Sequence, residues 1–118
     1  MSEEVKQPSK EEVFARIQRQ ITENPIVIYM KGTPRFPSCG FSGRAVQALI
    51  NQNIDFAFVD ILQNPEIRAL LPEFGDWPTF PQLWVNGELV GGCDIVLELE
   101  ASGELKPLLE EAIKKHAA

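Results

Sequence analysis

The stretch Phe36 to Val46 reads FPSCGFSGRAV and sets Cys39 at the mouth of a helix-forming run, with Ser42 three positions on. A helix N-terminus offers free N–H groups and the positive end of its dipole, and both favour a thiolate over a thiol. In a dithiol redox motif, the position of Ser42 would hold a second cysteine. A hydroxyl cannot supply that sulfur, so Cys39 cannot close a disulfide within its own turn. Its thiolate needs a partner elsewhere: a small thiol, Cys93, another chain or a metal. Lys31, at the end of the preceding apolar run, could lie across the same site and lower the thiol pKa further. The competing reading is a buried, inert cysteine. It fits poorly with the polar, Gly-containing surroundings Pro-Ser-Cys-Gly-Phe-Ser.

Few other residues could do chemistry. The chain has two cysteines and one histidine, His116, close to its C-terminus. That is neither a disulfide scaffold nor a closed four-ligand zinc set, and it leaves no histidine for catalysis. Gly91-Gly92-Cys93-Asp94 ends a strand pattern and opens a helix. The glycines let a ligand approach the backbone, and the helix start favours an anion; Asp94 is expected as its N-cap. Arg68 alone reads as a solvated helix charge, and Trp77 and Trp84 as packing residues.

These residues must be carried by one small scaffold. The chain has 118 residues, 44% of them hydrophobic, enough for one compact domain over 9–118 behind a flexible lead-in, 1–8. A net charge of −6 argues against general nucleic-acid binding, which needs a basic face. No apolar run approaches the roughly 20 residues of a membrane span. The opening MSEEVKQPSKEE resembles neither a secretory signal nor an Arg-rich transit peptide. The chain as given therefore reads as cytosolic, where free thiols are expected.

The patterning predicts alternating elements. Ser9-Lys10-Glu11-Glu12 is a capping box that opens a helix with Val13, Phe14, Ile17 and Ile21 on its apolar stripe. Pro25–Lys31 reads as a buried strand, and a second helix starts just after Cys39. Asp55–Ile61 reads as the next strand. Asn64 is expected to cap, and Pro65 to start, a third helix. Asn86-Gly87 joins two short strands through a type I′ turn. A short helix then runs to Gly103, and a last one carries Leu105, Leu108, Leu109, Ala112 and Ile113. The order αβαβαββαα predicts an α/β domain with a mixed sheet flanked by helices.

KGTPRFPSCGFS, WPTFPQLWVNGELVGGCD and the order of elements together resemble the CGFS-type monothiol glutaredoxins, close to single-domain bacterial members, from about Ile17 to Lys115. The resemblance implies a thioredoxin fold, a glutathione site and a 2Fe–2S cluster bridging two protomers. It makes Cys39 the iron ligand and the redox-active residue. It gives Lys31 and Arg68 to the carboxylates of glutathione, a role their charge suits. It implies a cis peptide at Phe80-Pro81 that turns the backbone of Phe80 toward a bound peptide. It puts the glutamyl end of glutathione at Cys93-Asp94, and lets Trp77 flank the cluster.

A 2Fe–2S cluster takes four thiolates. Two protomers giving one Cys39 each supply two; the others are both Cys93 residues or two small thiols. A cluster held partly by a diffusible thiol would suit transfer to iron–sulfur acceptor proteins. The resemblance also implies complexes with BolA-type proteins. The alternative is glutathione-dependent monothiol oxidoreductase activity, for which one cysteine suffices. The long Thr33–Ser38 segment leans against it, because the family associates that loop with weak oxidoreductase activity.

Overall fold

The computed structural model describes residues 8–117, so the expected lead-in lies outside them except for Pro8. The elements are α1 (Lys10–Glu23), β1 (Ile26–Met30), α2 (Gly40–Asn51), β2 (Ala57–Asp60), α3 (Pro65–Gly75), β3 (Gln82–Val85), β4 (Glu88–Gly91), α4 (Cys93–Ser102) and α5 (Leu105–Ala117). This is the order the patterning predicts.

The sheet order is β2-β1-β3-β4. β1 runs parallel to β2 and antiparallel to β3, and β3 and β4 form the hairpin. β1 is a central strand covered on both faces, and all five of its residues are buried. That explains its continuous apolar run. Val27 and Tyr29 pack with Val13, Ile17 and Ile21 of α1 and Ile67 and Leu71 of α3. Ile26, Ile28 and Met30 pack on the other face with α2, α4 and α5. The fold is therefore three layers, helices on both sides of one mixed sheet.

Local signals explain the element ends. Ser9 Oγ accepts from Glu12 N at 3.1 Å, and Ser9 N donates to Glu12 Oε1 at 2.9 Å, which completes the capping box. Asn86 and Gly87 both take positive φ, 49° and 80°, as a type I′ turn requires. Gly103, at φ 80°, ends α4.

Two expected caps differ. Asn64 occupies the N-cap of α3 without a capping side-chain bond; its Nδ2 donates instead to Asp60 O at 2.9 Å. α4 begins two residues early, with Gly92 as N-cap and Asp94 in the first turn. Gly91, at φ 148°, packs so closely under Ile95 that a Cβ there would lie 2.5 Å from Ile95 Cδ1. Among the described residues no helix is long and apolar enough to cross a membrane.

Candidate functional site

Strand direction brings the candidate residues together. β1 and β2 are parallel, so their C-terminal ends share one edge of the sheet. Lys31 follows β1 there, and Arg68 sits in the first turn of α3, shortly after β2. β3 is antiparallel to β1, so its first residue, and Phe80-Pro81 before it, reach the same end. β4 returns to that end and delivers Gly92, Cys93 and Asp94. Helices α2, α3 and α4 all start there, and none has a side-chain cap. Three uncapped N-termini at one end make an environment that favours anions.

Cys39 is the N-cap of α2, with extended backbone (φ −153°, ψ 139°). It is partly exposed and makes no disulfide. Its sulfur makes no capping hydrogen bond of ordinary geometry, yet nearby donors hold its pKa below the usual thiol value. The backbone N–H of Ser42 contributes most. The N–H of Phe41, the Lys31 ammonium and the Ser42 hydroxyl act in the same sense, and partial desolvation opposes them. The arrangement favours the thiolate form of an accessible sulfur.

Ser42 is fully buried. Its Oγ accepts from the backbone N–H of Lys31 at 3.1 Å, so the hydroxyl joins the end of β1 to the first turn of α2.

The segment between them is also pinned. Ser38 N donates to Lys31 O at 2.9 Å, and Thr33 and Phe36 exchange backbone hydrogen bonds of 3.1 and 3.3 Å. Gly32 takes φ +93°, and a Cβ there would lie 2.5 Å from Phe36 O. Only glycine fits both the dihedral and the space. Gly32 N donates to Asp60 Oδ1 at 2.9 Å, and the same oxygen accepts from Leu62 N at 2.9 Å.

A groove of about 290 Å³ reaches the first turn of α2 at Phe41 and is otherwise lined by Trp77, Thr79, Phe80, Pro81 and Gly92–Ile95; Cys39, Lys31 and Arg68 are not among its lining residues. The Phe80-Pro81 peptide is cis. Cys93 lines the groove but is only 7% exposed, whereas Asp94 is exposed. Lys31 is half-buried and Arg68 exposed; neither forms an ion pair among the described residues. Trp77 is half-buried in the groove wall, and Trp84 is buried in the α1/α3 core. His116 lies in the last turn of α5, away from this end. Among the described residues no group of three or more His, Cys, Asp or Glu could hold a metal ion.

Two supporting residues escaped the sequence reading. Asp60 anchors Gly32, as described. Gln82 is fully buried; its Nε2 donates to Trp77 O at 3.0 Å and Thr79 O at 3.2 Å, and its Oε1 accepts from Trp84 Nε1 at 3.0 Å. It holds the segment that forms one wall of the groove. The available signal was a lone amide opening an apolar strand, since a buried polar group needs partners.

The geometry agrees with three comparisons. The Glutaredoxin family model matches residues 26–90. The chain is 64% identical over 101 residues to Glutaredoxin 4 of Escherichia coli K12, covering 86% of this chain and 88% of that one. It is 61% identical over 105 residues to Glutaredoxin 4 of Haemophilus ducreyi, covering 89% and 98%. The solution structure of reduced poplar apo GrxS14 superposes with a TM-score of 0.76 at 44% identity, covering 87% of this chain and 94% of that one. With the thioredoxin fold, a lone cysteine opening α2 and serine in the second sulfur's place, the chain belongs to the glutaredoxin family, as a monothiol member of the CGFS type.

Proposed function

We propose that this glutaredoxin is an iron–sulfur cluster carrier that takes a 2Fe–2S cluster as cargo and passes it to acceptor proteins in the cytoplasm. The observation that carries the reading is the isolation of Cys39, an accessible, thiolate-favouring sulfur with no second thiol in its turn and, among the described residues, no ligand set around it. One chain offers one accessible thiolate, and a cluster needs four. Two protomers provide two, and two glutathione thiols complete the set. Buried Cys93 suits a groove wall better than a metal ligand. In the heterodimer, a BolA-type protein replaces one protomer.

The residues fit glutathione as co-ligand. Lys31 and Arg68 are cations without ion-pair partners among the described residues and suit its carboxylates. The backbone of Phe80 suits its peptide, and the α4 N-terminus at Cys93-Asp94 suits the glutamyl end. The chain's part is to hold Cys39 as a thiolate, orient the glutathione thiol and leave the site open for exchange. Anaerobic reconstitution with and without glutathione tests this, read by visible absorption and native mass. The expected result is a coloured dimer only when glutathione is present. A cluster of full intensity without any small thiol would overturn the ligand set.

The thiolate character of Cys39 also favours a second reading, deglutathionylation. Cys39 would attack the glutathione sulfur of a mixed disulfide and release the substrate thiolate. A second glutathione thiolate would then attack that sulfur, release oxidised glutathione and restore Cys39. A glutathione-coupled disulfide assay reads this activity, and weak turnover beside strong cluster binding is expected.

A further inference from the structure

From Asn24 to Ile54 the chain has no acidic residue and three cations, Lys31, Arg35 and Arg44, although the whole chain carries −6. This stretch includes the Gly32–Ser38 loop and all of α2. Its surface is also unusually apolar for an exposed position. Phe36 is 74% exposed and Phe41 55% exposed. Phe36 sits on the pinned Thr33–Phe36 turn, so its ring is offered to solvent from a fixed backbone. Pro37 lies against α2, where a Cβ at Gly43 would meet Pro37 Cβ in ordinary van der Waals contact at 3.5 Å. That contact holds the loop that carries Phe36 against the turn of α2 that carries Arg44. Arg44 in turn stacks over the Phe41 ring, 5.2 Å from its centroid.

We propose that Phe36, Phe41, Arg35 and Arg44 form a docking face for an acidic partner protein, one presenting an apolar centre ringed by carboxylates. Exposed aromatic and arginine side chains on a fixed backbone are the types that anchor interfaces. The charge selects the occupant. A second copy would set the same cations opposite these, with no acidic residue of the stretch to offset them. A cluster-bridged pair brings negative charge of its own, in the cluster and the glutathione carboxylates; direct contact between two apo copies through this face brings none. A carboxylate-ringed partner gains both attraction and faster encounter. The inference deepens the carrier reading by naming the acceptor's surface chemistry.

The test uses the apo protein, so its outcome is separate from that of cluster reconstitution. A short synthetic peptide alternating Glu with Leu and Phe, and its Lys-for-Glu counterpart, are titrated into isotope-labelled protein and followed by amide shifts. The acidic peptide is expected to shift amides of residues 33–47, to weaken as salt rises, and to lose binding to the double variant Arg35→Glu, Arg44→Glu. The Lys peptide is expected to bind only that variant. Phe36→Ser should weaken the acidic peptide without altering the rest of the spectrum. Equal binding of the two peptides, shifts on another face, or no binding of the acidic peptide would each overturn the proposal.

Discussion

The backbone N–H of Lys31 donates to the buried Oγ of Ser42 at 3.1 Å. This ties the residue that follows β1 to the third residue of α2. The serine of the active-site turn is therefore a structural acceptor as well as a missing sulfur. Ser42→Ala leaves the Lys31 N–H without its partner. Denaturant unfolding should show a loss of about 1–3 kcal/mol, the usual cost of an orphaned buried donor. Stability equal to wild type would show that this hydrogen bond contributes nothing net.

Ser42→Cys restores two sulfurs one helical turn apart. A disulfide with Cys39 should then form in air and compete with cluster ligation. Mass spectrometry should find the bond, and cluster decay in air should quicken. Matched decay rates with no new disulfide would count against a protective role for the serine.

Cys39 and Cys93 should separate cleanly. Cys93 is 7% exposed in the groove wall, whereas Cys39 is partly exposed and its surroundings favour the thiolate. Cys39→Ser should hold no cluster after reconstitution, and Cys93→Ser should hold one under ample glutathione. A normal cluster on Cys39→Ser would remove Cys39 from the ligand set.

Lys31→Ala and Arg68→Ala should each weaken glutathione binding by calorimetry. A charge-assisted hydrogen bond is worth about 1.5–3 kcal/mol, and Arg68, open to water, should fall at or below the low end. Unfolding curves should hardly move, since neither side chain forms an ion pair among the described residues. Unchanged affinity in both variants would take these residues out of the site.

The pKa of Cys39 lies below the usual thiol value, chiefly through the backbone N–H of Ser42. Thiolate absorbance should therefore rise at lower pH than in a free cysteine, and alkylation should persist to lower pH. The sign for stability follows. The unfolded chain holds the thiol proton to higher pH than the folded one. This small contribution is therefore present above the unfolded pKa and lost as pH falls through the folded one. Cys39→Ser should flatten that dependence. A thiolate titration that matches a free cysteine would contradict the assignment.

Asp60 Oδ1 accepts from both Gly32 N and Leu62 N. Asp60→Ala should free the Gly32 loop, seen as faster amide exchange at Gly32, with a stability loss of about 1 kcal/mol from the Gly32 bond, since water can replace the partner of the exposed Leu62 N–H. Unaltered exchange at Gly32 would deny Asp60 this role.

The order of elements was legible from the residues alone, because it rests on local physics. The Ser9–Glu12 box, the β1 apolar run, the Asn86-Gly87 turn and the Gly103 stop act within a few residues of themselves. Cys39 at a helix start was legible for the same reason, and its motif carried the family. What local pattern could not supply was partner choice for polar groups. Asn64 and Asp94 were expected as caps, but Asn64 bonds to Asp60 O and α4 starts from Gly92. Asp60, Gln82 and the burial of Ser42 depend on backbone groups 28, 5 and 11 residues away. Such bonds form only once parallel β1 and β2 and antiparallel β3 and β4 bring their ends to one edge. Sequence determined which residues could do the chemistry. The tertiary structure decided which donors face the sulfur, because a hydrogen bond is set by distance and direction in the folded chain.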